Sequence, residues 1–533
     1  MSAGVPAGPN FRQNGGVILF VMGKNQMRAK PLSCRVAAVW FGAAVFAAPA
    51  APALAQSSGG GGWLDLLNVN RLGGALDSLS ETLVTPEQER KIAETEHPKI
   101  LAQFGGEYAD PAVKSYVTEL VQALGKASAR PDIEYRVTVL NTPVVNAFAL
   151  PAGYLYTTRG LLALCGSEAE LAGVMAHEIG HVTARHTAQR YGRSVLAQGA
   201  AGLAGLLNSP LLQQAAQIGG ALWIQSFSRE QEFQADELGV ATLVKAGYDS
   251  RAMAGFLAKL QQYADLQAVL AGRKPGEADQ FNLFATHPRT AERVERAAEQ
   301  AGHAGKKGRE DRDPYLKRID GILFGDDPAQ GFVRGRVFAH PVMKFRFEVP
   351  EGFQLLNGTS EVTAAGPNGA AIRLDAAPEA YRGSMRGYIA EAWARNQALS
   401  NLESINVNGM EGGSAVTRMN AQGGPVDVRL TAIRFAPDLI FRFQFVAPAA
   451  TAARVWPEFG KVTGSFRRLS DAEAAAMKPL RVRLVAAGRG DTVDSLARRM
   501  VVPDRAAERF RALNGLKPDQ QVSGGQIYKL VAE

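Results

Sequence analysis

The residues of this chain best suited to chemistry are two histidines and a glutamate at a fixed spacing. His177 and His181 are four positions apart, and Glu178 follows the first of them directly. On a helix this spacing places both imidazoles on one face, where they can reach the same metal ion, and Glu178 projects beside a water molecule on that ion. The pattern predicts a zinc site in which Glu178 takes a proton from water and the resulting hydroxide attacks a peptide carbonyl.

A catalytic zinc ion normally has three protein ligands and one open position, so a third ligand has to come from elsewhere. Downstream, Ser228–Asp236 contains Glu232 and Asp236, which are four positions apart and therefore on one face of a predicted second helix. We expect Glu232 to bind the metal and Asp236 to accept a hydrogen bond from a ligand imidazole. By itself such a pair is typical of a solvated helix face, and its weight comes from the 51 positions that separate His181 from Glu232.

Four segments, in the order of a known family, extend this pattern over about residues 85–300. They are Asn146–Gly153, Glu170–His181, Ser228–Asp236 and Thr286–Arg293. In these segments the chain resembles the gluzincin-type zinc metallopeptidases of the HtpX/BepA-like family, peptidase family M48. The resemblance implies a metalloendopeptidase with one Zn²⁺ per chain and these site residues: His177, His181 and Glu232 as ligands, Glu178 as general base and Asp236 behind the ligands.

The remaining histidines are weighed separately. The resemblance implies that His287 approaches the zinc and can hold the enzyme latent, whereas the alternative is a loop imidazole hydrogen-bonded near Arg293. For both residues a regulatory or transition-state role stays open. His186 is five positions after His181, about 140° around a continuous helix, so we expect it to pack or face solvent rather than bind metal. The other histidines lack partner spacing and are predicted to be non-catalytic: His97, His303 and His340.

A predicted strand before the histidine helix is the natural place for substrate. It contains Asn146, Ala147, Phe148, Ala149 and Leu150. An extended peptide can pair with such an edge through its main chain, with little regard to sequence. Broad specificity for unfolded chains is the expected consequence. Ala152 stands in the following turn at a position where the family commonly has glycine.

Hydrophobic spacing indicates the elements that must position these residues. Residues 63–135 are predicted to be mostly helical, most clearly at Val113–Leu124, and Tyr135–Leu140 alternates as a strand. The next predicted elements are a strand Ala147–Thr157 interrupted by Pro151 and Gly153, a helix from Ser167 to about Gln198, and helices over Ser228–Gln300. We therefore expect a mainly helical α+β zincin-like peptidase domain over residues 63–305.

Two further units are predicted beyond the charged, glycine-bearing stretch Gly302–Asp313. Residues 325–470 are predicted to form an α+β antiparallel-sheet domain of unknown role. Its strands are expected at residues 344–349, 371–374, 426–433 and 439–445, with one helix at Met385–Gln397. Residues 480–533 follow a β-α-α-β order and resemble a LysM domain, which implies a possible partner in peptidoglycan. The predicted fold class is thus a multidomain α+β chain.

The N-terminus has the layout of a secretory signal peptide over residues 27–55. A basic start is followed by the apolar run Val36–Ala48 and by Ala53–Ala55 as the cleavage site. Because this run is shorter than the ~20 residues needed to span a bilayer, we expect cleavage after Ala55 and export to the periplasm. Residues 1–26 are interpreted as an upstream extension.

Charge and composition exclude other classes. Five basic residues lie upstream of residue 56, and without them 54 basic residues face 51 acidic ones. A nearly neutral chain disfavours a nucleic-acid partner. Two cysteines, Cys34 and Cys165, cannot build a disulfide scaffold or a cysteine-rich metal site. The uncharged stretch Ser194–Gln225 contains several glutamines and a proline, which favours a packed helical pair over a membrane span.

These observations favour a periplasmic zinc metalloendopeptidase that cleaves unfolded, misfolded or misassembled envelope proteins. Association with the cell wall or a membrane stays open. One alternative is a peptidoglycan-associated hydrolase, against which stands the absence of a His-x-His pair among the seven histidines. The other alternative is a non-catalytic chaperone or scaffold with a structural zinc.

Overall fold

Two capped helices precede the first sheet. Helix α1 (Pro86–Gln103) begins at Thr85, which forms a capping box with Gln88. Helix α2 (Pro111–Ala127) begins at Asp110, whose carboxylate accepts two backbone hydrogen bonds of the first turn. The apolar residues of α2 recur every three or four positions and are buried, as the sequence predicts: Val113, Val117, Leu120, Val121 and Leu124.

The chain is seen in a computed structural model that describes residues 84–190, 227–270, 272–276, 308–421 and 423–533, together with His287, Arg293, Arg296 and Glu299. The predicted upstream extension, the signal peptide, His303 and the uncharged stretch Ser194–Gln225 lie outside these residues. No helix among the described residues is long and apolar enough to cross a membrane.

A three-stranded sheet lies against the helices. Its strands are β1 (Arg136–Leu140), β2 (Ala147–Ala149) and β3 (Tyr154–Thr158), in the order β1-β3-β2. Strand β3 is parallel to β1 and antiparallel to β2. The predicted interruption between β2 and β3 is confirmed as a tight turn, in which Ala152 and Gly153 both take positive φ, 58° and 82°.

Four helices surround this sheet. They are α3 (Arg159–Leu164), α4 (Glu168–Thr183), α5 (Arg229–Lys245) and α6 (Arg251–Leu270). Helices α4 and α5 are capped by Ser167 and Ser228. They pack so closely that a Cβ at Gly180 of α4 would lie 2.7 Å from the carbonyl oxygen of Ala235 on α5. The absence of a side chain at this crossing lets the two helices bring their polar faces together.

Helix α4 is shorter than the sequence predicts. The predicted helical stretch from Ser167 to about Gln198 is interrupted, because α4 ends at Thr183 and Arg185 takes a positive φ of 57°. Helical backbone resumes at residues 186–190, and the rest of the stretch lies outside the described residues. Arg185 is held in this conformation by Glu89, whose Oε1 accepts from its Nε at 2.7 Å, and by the carbonyl of Val84. The break redirects the chain that follows it.

A second, mostly antiparallel region follows α7 (Arg312–Ile319) and the short strand β4 (Leu323–Phe324). Its strands are β5 (Phe332–Arg334), β6 (Val337–His340), β7 (Phe345–Glu348), β8 (Gln354–Asn357), β9 (Glu361–Ala365), β10 (Ala371–Ala376), β11 (Ser400–Val407), β12 (Met410–Ala421), β13 (Gly424–Ala436), β14 (Leu439–Pro448) and β15 (Arg467–Arg468). They form a four-stranded sheet in the order β15-β7-β6-β5 and a seven-stranded sheet in the order β11-β12-β13-β14-β10-β9-β8. The four predicted strands are confirmed within a few residues.

Helices cover this second region. The predicted helix Met385–Gln397 is only partly formed, as a short helix α8 (Met385–Gly387) that continues as one turn of π-helix to Trp393. Helix α9 (Ala452–Ser465) packs on a core rich in phenylalanine: Phe347, Phe443, Phe445, Phe459 and Phe466 are all buried. A further short helix, α10 (Asp471–Ala476), leads to the last unit.

The last unit has the predicted β-α-α-β order. It consists of β16 (Leu480–Ala486), α11 (Val493–Ala497), α12 (Ala506–Asn514) and β17 (Ile527–Ala532). Strand β16 pairs with β17 and also with β4, which precedes the second region. Val482 of β16 is part of the same hydrophobic core as the helices α2 and α4. This terminal unit is therefore built into the first domain rather than tethered to it.

Candidate metal centre

Helices α4 and α5 bring the predicted ligands together in a buried cluster. His177 and His181 lie one turn apart on α4, with their Nε2 atoms 3.0 Å apart. Glu232 of α5 faces both, with carboxylate oxygens 3.6 Å from each Nε2. The three side chains are at most 7% exposed. As predicted, the two histidines lie on one face of their helix, and a glutamate from a second helix faces them.

His287 adds a fourth donor atom to the cluster. Its Nδ1 lies 2.9 Å from Oε1 of Glu232 and 3.2 Å from Nε2 of His177. One ligand atom from each of the four residues lies within 4.8 Å of all the others. Of the two interpretations of His287, these contacts with Glu232 and His177 fit the position beside the candidate ligands rather than a loop imidazole hydrogen-bonded near Arg293.

Asp236 and Arg293 hold the cluster from behind. Oδ1 of Asp236 lies 2.9 Å from Nδ1 of His177. Arg293 donates two hydrogen bonds to the Asp236 carboxylate, at 2.7 and 2.8 Å, and pairs with Oε2 of Glu232 at 2.5 Å. Although burial opposes it, these hydrogen bonds lower the pKa of Asp236 to about 2. Asp236 therefore stays ionised and accepts a hydrogen bond from His177. Arg293 contacts the carboxylates of Asp236 and Glu232.

The donor set fits a zinc ion. Because an ionised carboxylate can only accept, His177 donates from Nδ1 to Asp236, and a neutral His177 then presents a bare lone pair at Nε2. Burial, aided by the neighbouring histidines, lowers the pKa of His181 well below its usual value, so this imidazole is neutral as well. Two neutral imidazole nitrogens and a carboxylate oxygen are the ligands of many catalytic zinc sites.

Glu178 lies beside the cluster with its carboxylate unsatisfied. The side chain is fully buried, and neither oxygen accepts a hydrogen bond from a described residue. The imidazole of His287 is near it, with Nε2 3.4 Å from Oε1. A buried carboxylate without donors is costly unless something fills the space in front of it. A water molecule on the metal would do so, which is the position a general base requires.

A small apolar cavity of about 30 Å³ opens beside these residues. It lies against His177, Glu178 and His287. Arg293 also lines it, and the rest of its wall is apolar and comes mainly from α6: Val174, Met253, Phe256, Leu257 and Leu260. An apolar side chain is the group that such a cavity can take up without loss of hydrogen bonds.

The predicted substrate strand lies at the edge of its sheet but is covered. All residues from Asn146 to Leu150 are buried, none more than 8% exposed. The hydroxyl of Thr187, in the chain after the α4 break, donates to the carbonyl oxygen of Ala149 at 3.3 Å. Strand β2 is the edge strand in the order β1-β3-β2, and the pairing of substrate with it stays a prediction.

Sequence analysis missed the contact that His186 makes. Because the helix breaks at Arg185, His186 is fully buried and its Nδ1 lies 2.9 Å from Nδ1 of His181. It is not among the four clustered donors. His97 and His340 lie outside the cluster as well, and His97 is hydrogen-bonded to Tyr156 at 2.8 Å.

The site consists of two histidines and a glutamate that can hold a cation, with a second glutamate beside them. This is the arrangement of a metallopeptidase site. Residues 110–301 match the family model described as Peptidase family M48. This part of the chain is thus a metallopeptidase domain of family M48.

Relatives with assigned names share the same region. The beta-barrel assembly-enhancing protease of Escherichia coli is 31% identical over 202 residues, which is 36% of this chain and 39% of that protein. The mitochondrial metalloendopeptidase OMA1 of Schizosaccharomyces pombe is 27% identical, over 44% of this chain and 66% of that protein. The metalloprotease LoiP of Escherichia coli is 26% identical, over 43% of this chain and 85% of that protein. The match spans less than two thirds of the length of the first two.

Proposed function

We propose that the protein is a periplasmic zinc metalloendopeptidase that cleaves unfolded, misfolded or misassembled envelope proteins. The site geometry supports peptide hydrolysis, and the family match supports the class of enzyme. The envelope role is supported by the similarity to a protease named for beta-barrel assembly. The periplasmic location is supported by the signal-peptide pattern in residues 27–55.

In the proposed reaction His177, His181 and Glu232 would hold one zinc ion. When bound, the ion would supply Lewis acidity toward the scissile carbonyl and toward water. Glu178 takes the proton from water and passes it to the leaving amine, so it must alternate between base and acid. Asp236 keeps the proton of His177 on Nδ1, and Arg293 pairs with the carboxylates of both Glu232 and Asp236.

The same geometry supports a latent resting state. Four protein donors fill a tetrahedral site, whereas hydrolysis needs one open position. His287 is the one of the four donors that belongs to neither α4 nor α5. Its Nε2 also lies near the carboxylate of Glu178. We propose that His287 leaves the cluster when substrate enters, and that an extended substrate then pairs with β2 in place of the Thr187 hydroxyl.

The observation that carries the proposal is the unsatisfied carboxylate of Glu178 beside the donor cluster. The test is cleavage of casein by the purified chain Gln56–Glu533 with one equivalent of zinc, with Glu178→Gln as the isosteric control. We expect the variant to bind zinc like the unaltered chain but to cleave about 100- to 10,000-fold more slowly. Equal cleavage by both would show that another group carries the reaction.

The four-donor arrangement also favours a second candidate, a non-catalytic scaffold with a structural zinc, because structural sites are closed. This candidate predicts that neither the unaltered chain nor a His287→Ala variant cleaves casein although both hold zinc. It also predicts that Glu178→Gln rescues a deletion strain as well as the unaltered gene does. Digestion of purified sacculi without cleavage of casein would instead point to a cell-wall hydrolase.

A further inference from the structure

One buried histidine next to the metal centre has no part in the reaction described above. His186 follows the break at Arg185 and is 1% exposed. Its Nδ1 lies 2.9 Å from Nδ1 of His181, and its Nε2 lies 3.0 Å from Oε1 of Gln234 on α5. Both ring nitrogens of His186 are therefore engaged, one by a proposed zinc ligand and one by an amide two positions after Glu232.

We propose that His186 and Gln234 are positioning residues that hold His181 in the tautomer able to bind zinc. The inference rests on the proposed function, in which His181 is a ligand through Nε2. It concerns how this chain orients the second histidine of the pair, for which no carboxylate among the described residues plays the part that Asp236 plays for His177.

The tautomers of His181 and His186 are linked by the one proton that their Nδ1 atoms share. A hydrogen bond between two imidazole Nδ1 atoms needs one of them, and only one, to carry a proton. If His181 carries it, Nε2 of His181 is a bare lone pair that faces the donor cluster. If His186 carries it, Nδ1 of His181 must be bare and the proton of a neutral His181 moves to Nε2, where it blocks the metal. The tautomer of His186 thus decides whether His181 can be a ligand.

The orientation of the Gln234 amide selects the tautomer of His186. The amide oxygen, which can only accept, faces Nε2 of His186 at 3.0 Å, so in this orientation Nε2 donates and carries the proton. Nδ1 of His186 is then the acceptor that His181 requires. A neutral amide achieves this without a third carboxylate beside Glu232 and Asp236, which already share Arg293.

Packing holds the ring of His181 in the plane that this bond needs. Phe227 stacks on it with ring centroids 3.9 Å apart and an interplanar angle of 22°. The His181 ring is fully buried, so water does not compete for its Nδ1. The hydrogen bond to His186 is therefore the contact that places the proton of His181 on Nδ1.

The test is the zinc dissociation constant of the purified chain Gln56–Glu533, measured by competition with a chromophoric chelator, with no substrate present. Gln234→Met keeps the size of the side chain but removes the acceptor, and Gln234→Glu keeps an acceptor. Because Gln234 is largely exposed, neither change disturbs the core. We expect Gln234→Met and His186→Ala to weaken zinc binding about 10- to 100-fold, and Gln234→Glu to stay within about threefold of the unaltered chain.

Thermal unfolding in EDTA shows whether each variant folds. If His186→Ala does not fold, Gln234→Met tests the inference in its place. If the unaltered chain binds zinc and Gln234→Met binds it equally tightly, the positioning role is wrong while the proposed function stands. If Gln234→Met and Gln234→Glu lose affinity equally, the acceptor is not what matters and the inference is also wrong. If the unaltered chain itself binds no zinc, the proposed function fails and the inference with it.

Discussion

Asp236 Oδ1 lies 2.9 Å from Nδ1 of His177, so a carboxylate on one helix fixes the proton of a ligand on another. Asn at position 236 keeps the shape but not the charge, and its amide can turn a donor toward the imidazole. We expect Asp236→Asn to weaken zinc binding about 10- to 100-fold. Chelator competition measures this, with Glu237→Gln, an exposed acid on the same helix, as the control that should not change it.

Asp236 also links stability to pH. Its folded-state pKa of about 2 is below the ordinary 3.8, so its ionised form stabilises the folded chain above pH ~4, and this contribution is lost as the pH falls through ~2. The shift corresponds to about 2 kcal/mol. Thermal unfolding in EDTA between pH 6 and pH 2 should show a steeper fall for the unaltered chain than for Asp236→Asn. Parallel curves would contradict the assignment.

His287 lies within the donor cluster in this conformation. If the closed form holds about 99% of the molecules, its loss raises activity by up to about 100-fold. We expect His287→Ala to cleave casein faster than the unaltered chain at equal zinc content. His97→Ala, which removes a histidine outside the cluster, should leave the rate unchanged. A slower His287→Ala would show that this imidazole assists the reaction rather than restrains it.

The terminal unit is attached through a buried lysine. Nζ of Lys529 on β17 donates to three carbonyl oxygens at the end of α3, those of Ala163, Leu164 and Cys165, at 2.7 to 2.9 Å. Lys529→Met leaves these carbonyls without a donor, which should cost about 3 kcal/mol of unfolding free energy. Lys517→Met, an exposed change in the same unit, should cost almost nothing. Urea denaturation compares the two, and equal midpoints would show that the terminal unit is only loosely attached.

The turn after β2 carries a side chain where glycine fits better. Ala152 has φ of 58° and ψ of 28°, in the left-handed region that costs a non-glycine residue about 1 kcal/mol. We expect Ala152→Gly to change stability only slightly, because the relief of this strain is offset by the added freedom of the unfolded chain. Gly153→Ala should be strongly destabilising, since its Cβ would lie 2.7 Å from the carbonyl oxygen of Glu134. Thermal unfolding of both variants measures the difference.

The proximity of the candidate ligands could be predicted because it depends on local spacing. A four-residue spacing on a helix places His177 and His181 on one face whatever the rest of the fold does. The same holds for Glu232 and Asp236 on α5, and the structure then brings the two faces together. Strands such as β14 were predictable for the same reason, because the alternation of buried and less buried side chains along the strand follows the alternation of apolar and polar residues in the sequence.

Contacts between distant segments could not be predicted. The end of α4 depends on Arg185 reaching Glu89, 96 positions earlier, and no glycine or proline marks the break. That break is what turns His186 toward His181 and carries Thr187 over β2, so both were missed. The burial of Lys529 depends on carbonyls more than 360 positions away. Composition and spacing contain no signal for such pairs.

The central claim is that one buried site both binds zinc and hydrolyses peptide bonds with Glu178 as the base. The most direct measurement compares His287→Ala with the double variant His287→Ala, Glu178→Gln, recording zinc content and casein cleavage on the same samples. We predict about one zinc per chain in both, with cleavage by the single variant alone. Zinc in both and cleavage by neither would contradict the account and leave a structural zinc site.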